Sequence, residues 1–205
     1  MRARLMSLAA VAGLAVAALP AHAATTKPQV TDATGDANAI NGQGEPASVP
    51  SQSTPADVSA ADIVSVRFAT TFVTKVVKGK KVKTATGMTA TMTLAAAPTV
   101  PFINYRISTS AAGCSNLFFE YSTSPGGRGT DLRCPGAVPL VSTDTLYAVK
   151  SAVKGSTITW TVPIKSLPVG TTLSSLEADT RFNPVKLTVP AIDIATSGNT
   201  FTVGQ

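Results

Sequence analysis

The stretch Val-Thr-Asp-Ala-Thr-Gly-Asp-Ala-Asn-Ala-Ile-Asn-Gly, residues 30–42, sets Asp32, Thr34, Asp36 and Asn38 at alternate positions, with Gly35 among them and Gly42 at the end. Oxygen donors at every second residue are what calcium loops use, because calcium takes roughly six to eight oxygens from carboxylates, amides and carbonyls. The stretch departs from the helix-flanked EF-hand loop, since Ala37 stands where the sharp-turn glycine belongs and Gln43 where the bidentate glutamate belongs. A run of Asx-turns in a solvated loop accounts for the same composition without an ion. As a cation loop it is short of carboxylates, and Asp57 or Asp62, at the start of the first long alternating segment, is the expected addition. The ion-free turn is the preferred reading; if an ion binds, the candidate ligands are Asp32, Asp36, Asn38 and Asp62, with calcium as the ion.

Other residues invite other chemistry. A polysaccharide hydrolase needs two carboxyls facing each other across a cleft. The acids on strand-like segments are Glu120, Glu177 and Asp179, of which the last two sit side by side on one strand face and read as solvated surface charge. Phe118 shares a face with Glu120, and this pair is the expected contact for a sugar. Trp160, the single tryptophan, alternates in phase with Ile158 and Val162 and is expected in the core. Lys75, Lys78, Lys80, Lys81 and Lys83 cluster around a turn, where they could touch a glycan or polyanion of a cell envelope. Lysines also keep a hairpin tip soluble and discourage edge pairing. No aromatic residue interleaves with them, so nucleic acid is not an expected partner.

The N-terminus narrows the field. Arg2 and Arg4, an apolar run from Leu5 to Leu19 and the small residues around Ala23 form the pattern of a secretory signal peptide over residues 1–23. A secreted, extracellular protein is expected, with no integral membrane span once the leader is removed. Cleavage after Ala23 leaves 205 − 23 = 182 residues, enough for one well-cored domain. It also removes two arginines, so 15 basic less 11 acidic residues leave a charge of +4, a mild bias. The one histidine, His22, leaves with the leader. Without imidazole, Ser-His-Asp and Cys-His mechanisms, histidine-ligated zinc and histidine-ligated haem are not expected. Cys114 and Cys134 are the two cysteines, and in an oxidising compartment they are expected to form a disulfide contributing about 3 kcal/mol. The cleavage site carries no lipid-attachment cysteine and the C-terminus no apolar tail, so covalent anchoring is not expected.

The elements that must position these residues are strands. Residues 24–61 are rich in Gly, Pro, Ser, Thr, Ala and Asn and form an extended polar segment unable to pack a core alone and expected to pack onto the strand domain that follows. From Asp62 the period becomes two. Val64, Val66, Phe68, Phe72 and Val76 share one parity; Met88, Met92 and Leu94 share another across the turn at Lys78-Gly79. Ile103, Tyr105 and Ile107, then Leu117, Phe119 and Tyr121, repeat the alternation. Residues 123–139 read as a loop pinned by the disulfide, and two hairpin segments and two terminal strands follow. The expectation is an all-β antiparallel sandwich, immunoglobulin-like or jelly-roll, of about eight strands over residues 62–205, with no helix after the leader.

The order Asp-x-x-Gly-Asp-x-Asn at Asp32 to Asn38, then DIVSVRF at Asp62 to Phe68, then ITWTVPIKSLPVGTTLSSLEADT near the end resembles the secreted bacterial DOMON-like and family-9-like carbohydrate-binding sandwich modules. That resemblance implies a sandwich accessory to larger extracellular enzymes, binding sugars or, in some relatives, haem, with a structural cation at Asp32 and Asp36. The absent imidazole departs from the haem-binding branch, and the aromatic pair that clamps sugars is not identifiable. A secreted, non-catalytic binding or envelope-associated module is the leading expectation. A carboxylate hydrolase and a purely structural or interaction protein are the alternatives.

Overall fold

Small and β-branched residues alternating with large apolar ones favour pleated strands with one buried face, and that is what forms. A computed structural model describes residues 27–37, 55–99, 101, 103–124, 129–135, 145–182 and 191–205. The leader at 1–23, Asn38 and much of the polar segment lie outside the described residues. In chain order the elements are β1 (Val30–Thr31), α1 (Pro55–Ala61), β2 (Ile63–Val77), β3 (Lys80–Leu94), β4 (Ile103–Ala111), β5 (Cys114–Ser122) and β6 (Thr130–Cys134). There follow β7 (Thr145–Leu146), β8 (Lys150–Lys154), β9 (Thr157–Pro163), β10 (Thr172–Phe182), β11 (Ala191–Ser197) and β12 (Phe201–Thr202).

Two antiparallel sheets result, one ordered β1-β2-β3-β9-β8 and the other β11-β10-β4-β5-β6-β7, with β12 pairing to β10. Their inner faces share one core. The Phe68 ring of β2 meets Phe119 of β5 edge-on at 5.9 Å between centroids and stacks on Phe201 at 5.6 Å. Trp160 is fully buried, and its Nε1–H donates to the Glu120 carbonyl at 3.0 Å, tying the two sheets together. Ile103, Tyr105, Ile107, Leu117, Met88, Met92, Leu94 and Ile158 are buried as the alternation predicts.

Several expectations need correcting. The described residues hold twelve strands where about eight were expected, because β1, β7 and β12 are two-residue pairings that local periodicity cannot announce. The polar segment contributes β1, which pairs with β2 at Val30↔Val66. A seven-residue helix, α1, also forms, with Pro55 at its first position, where a missing N–H costs nothing. Its end is fixed by tertiary bonds: the Tyr105 and Thr180 hydroxyls donate to the carbonyls of Ala60 and Ala61. The expected loop at 123–139 contains β6. The parity of β2 also breaks at a bulge between Ile63 and Ser65, so Ile63, Val66 and Phe68 are all buried; at Thr71/Phe72 the extra residue is Thr86 of β3, and beyond it Val76 and Val77, on opposite faces, are 67% and 51% exposed.

The disulfide forms between Cys114 and Cys134, whose Cα atoms are 5.9 Å apart. It joins the start of β5 to the end of β6. Gly87 sits where β3 meets β9; a Cβ there would lie 2.2 Å from the Val162 carbonyl oxygen. At the open side of the sandwich β1 and β11, edge strands of opposite sheets, come together, and the Asn199 amide donates to the Gln29 carbonyl at 2.8 Å.

Candidate functional site

Where those two edges meet, four aspartates converge. The Asp32 N–H donates to the Val64 carbonyl at 3.0 Å, which fixes the residue just past β1 against β2. The chain then turns through Gly35, whose φ of +87° suits glycine. This turn aims the Gly35 N–H at Asp62 Oδ2, 2.6 Å away. Asp62 immediately precedes β2 and is only 3% exposed. Asp193 on β11 is 6% exposed, and its Oδ2 accepts the Ile63 N–H at 2.6 Å. Carboxylate oxygens of Asp32, Asp36 and Asp193 all lie within 4.8 Å of one another.

Such a gathering of like charge is costly unless something offsets it. Burial pushes the Asp193 carboxyl up to about 6, the Ile63 N–H opposing and Asp32, Asp36 and Asp62 adding to the rise. Asp32 is also pushed up, by burial first and by Asp36 and Asp62, against the pull of the Ala33 N–H. Two buried oxygens in the cluster, Asp32 Oδ2 and Asp62 Oδ1, have no hydrogen-bond partner. The described ion pairs of the protein lie elsewhere, between Arg106, Arg133 or Arg181 and Asp179, Glu120 or Asp131. Buried polar atoms in native proteins almost always have partners, and Asp32, Asp36 and Asp193 form a group that could hold a cation. The donors are all oxygens, which suits a hard ion such as calcium or magnesium and not a thiolate- or imidazole-seeking one.

Asp32 and Asp36, expected as ligands, are thus brought together. Asp62 stands beside them, one oxygen holding the turn and the other unpartnered. Asn38 and the side chain of Asp57 lie outside the described residues. Asp193 went unrecognised in the sequence. In Ala191-Ile192-Asp193-Ile194-Ala195 the isoleucines are the natural inward choice. The structure inverts this, with Ile194 46% exposed and Asp193 buried.

Phe118 and Glu120, the expected sugar contacts, lie on the outer face of the six-strand run that begins at β11. Phe118 is half-buried, with the Arg106 and Arg133 guanidinium carbons over its ring at 4.8 and 5.5 Å from the centroid. Glu120 Oε2 accepts from Arg133 Nη2 at 3.0 Å. Beside them Asp179, expected as solvated charge, is instead completely buried. Its Oδ2 accepts from Arg106 Nε at 2.8 Å and its Oδ1 from Arg181 Nε at 2.6 Å. The side chains on β4 and β10 fold over it because Arg106 and Asp179 are register partners. These carboxylates brace neighbouring strands.

Fold and cluster together define a class: an all-β sandwich with a carboxylate cluster where two of its edge strands meet. No family model, no curated protein and no solved structure matches the chain. The likeness to DOMON-like and family-9-like modules therefore gains nothing from comparison, and the reading of the site rests on its own geometry.

Proposed function

We propose that the chain is an exported, non-catalytic β-sandwich module whose two sheets are clasped at their open edge by a calcium ion held by Asp32, Asp36, Asp62 and Asp193. The observation that carries this reading is the pair of buried, unpartnered carboxylate oxygens on Asp32 and Asp62, set against an Asp193 carboxyl raised by burial and by its acidic neighbours. A divalent ion removes both penalties at once, by coordinating the oxygens and cancelling their repulsion. Calcium is favoured over magnesium because three separate chain segments supply the carboxylates, a geometry that flexible coordination tolerates better than a strict octahedron. The ion's role is mechanical. It links the arm after β1 and the start of β2, in one sheet, to β11 in the other.

The wider reading is an accessory module of the extracellular space or cell envelope. Carbohydrate contact at Phe118 and Glu120 has limited support, since guanidinium groups lie over the ring and the carboxylate is ion-paired. Calorimetric titration of calcium, and separately magnesium, into chelator-treated protein tests the clasp. A saturable calcium isotherm with a rise in melting temperature is the expected result; a flat trace with no thermal shift would retire it.

A further inference from the structure

Beyond the bulge at Thr71/Phe72 the hairpin of β2 and β3 has no third strand among the described residues. β9 pairs with β3 only from Gly87 to Thr93, and β1 with β2 only at Ser65 and Val66. The rungs from Phe72↔Ala85 to Val77↔Lys80 therefore leave the sandwich as a two-stranded ribbon about 20 Å long, at roughly 3.4 Å per residue. Lys78 and Gly79, with φ of 50° and 75°, close it in the tight turn that suits strand twist.

The ribbon carries Lys75, Lys78, Lys80, Lys81 and Lys83, and the chain has no Asp or Glu between Asp62 and Glu120. None of the described ion pairs involves these lysines. Among them stand Val76, Val77 and Val82, exposed by 67, 51 and 43%. The register sets Lys75 opposite Val82, Val76 opposite Lys81 and Val77 opposite Lys80, so each aliphatic side chain has an ammonium as its cross-strand neighbour. Water alone rewards the lysines and not the valines. A soluble polyanion would engage the ammonium groups and leave the valines wet, and no ring stands between Lys75 and Lys83 to stack on bases. A leaflet of anionic lipid uses both on the one face of the ribbon where Val77 and Val82 stand with Lys75 and Lys80: these valines enter the boundary between headgroups and acyl chains while lysines reach back to the phosphates.

We infer that the ribbon is an interfacial anchor that docks the module on the surface of an anionic lipid bilayer, through Lys75, Lys78, Lys80, Lys81 and Lys83 with Val77 and Val82. It lies in the headgroup region and does not span, which leaves its outer backbone edges hydrated, as two unpaired strands require. This is independent of the calcium clasp, which sits at the other end of β2.

The test is co-sedimentation of the exported chain with vesicles of phosphatidylglycerol mixed into phosphatidylcholine, and with phosphatidylcholine alone. Pelleting with the anionic vesicles only, declining as salt rises, is expected. The combined Lys78→Gln, Lys80→Gln and Lys81→Gln variant should partition about a hundredfold less, at roughly fivefold per lysine. The combined Val77→Thr and Val82→Thr variant keeps charge and strand propensity, and should partition about fivefold less. All five side chains are exposed, and an unchanged melting temperature shows that each variant is folded. No pelleting with anionic vesicles would overturn the inference. So would a threonine variant that binds vesicles as well as the parent while inorganic polyphosphate competes fully, because that result describes a general polyanion site.

Discussion

Replacing Asp193 by asparagine should change stability in opposite directions with and without calcium. In cation-free protein the carboxyl stands at about 6, against 3.8 for an ordinary aspartate. A folded-state value above the unfolded one means the native state holds the proton longer. Stability is then greatest below about pH 4 and falls as pH rises through about 6. At about 1.4 kcal/mol for each tenfold change in proton affinity, ionised Asp193 costs roughly 3 kcal/mol at neutral pH. Asn removes the charge and keeps an oxygen to accept the Ile63 N–H. In chelator at pH 7, D193N should therefore melt higher than the parent, by roughly 5 to 10 °C for a domain of this size. Near pH 4 the difference should shrink towards zero. With calcium at a hundredfold excess over its dissociation constant the parent gains about 2.7 kcal/mol. The variant, short of one ligand, should gain far less and lose its advantage. Differential scanning calorimetry over a pH series, with and without calcium, reads all of this. The reasoning fails if D193N melts lower than the parent in chelator and calcium shifts neither protein.

Further outcomes follow from particular contacts. Asp62→Asn keeps an acceptor for Gly35 N–H but should weaken calcium binding at least tenfold by calorimetry, since a carboxylate ligand is lost. Asp179→Asn strips the charged acceptor from Arg106 and Arg181 and should cost on the order of 3 kcal/mol by urea denaturation. Gly87→Ala should cost several kcal/mol, or prevent folding, because its Cβ would meet a backbone oxygen of β9 that cannot move without opening the ladder. Reducing the bridge between Cys114 and Cys134 should lower stability by about 3 kcal/mol. Emission from Trp160, the single tryptophan, should be blue-shifted in the folded protein and move red on unfolding, giving an optical readout for each of these.

The parity of Ile103, Tyr105 and Ile107, of Leu117 and Phe119, and of Ile158, Trp160 and Val162 specifies strand type and the buried face from sequence alone, because side chains on a strand alternate whatever the partner. Two cysteines are enough to name the one possible intrachain bridge. Asp32 and Asp36 are legible as oxygen donors because they are close in sequence. Asp193 is not. Local pattern favours its isoleucine neighbours for the interior, and only the approach of β11 to the arm after β1 turns its carboxylate inward. The same holds for Asp179, which looks like surface charge until Arg106 and Arg181 fold across it, and for Val76, whose parity says core although its part of β2 runs out past the pairing with β9. Alternation is a property of one strand and survives in the sequence. Which strand edges meet, where a bulge shifts the phase and which charges share one pocket depend on contacts between residues far apart in the chain, so they exist only once the two sheets have closed.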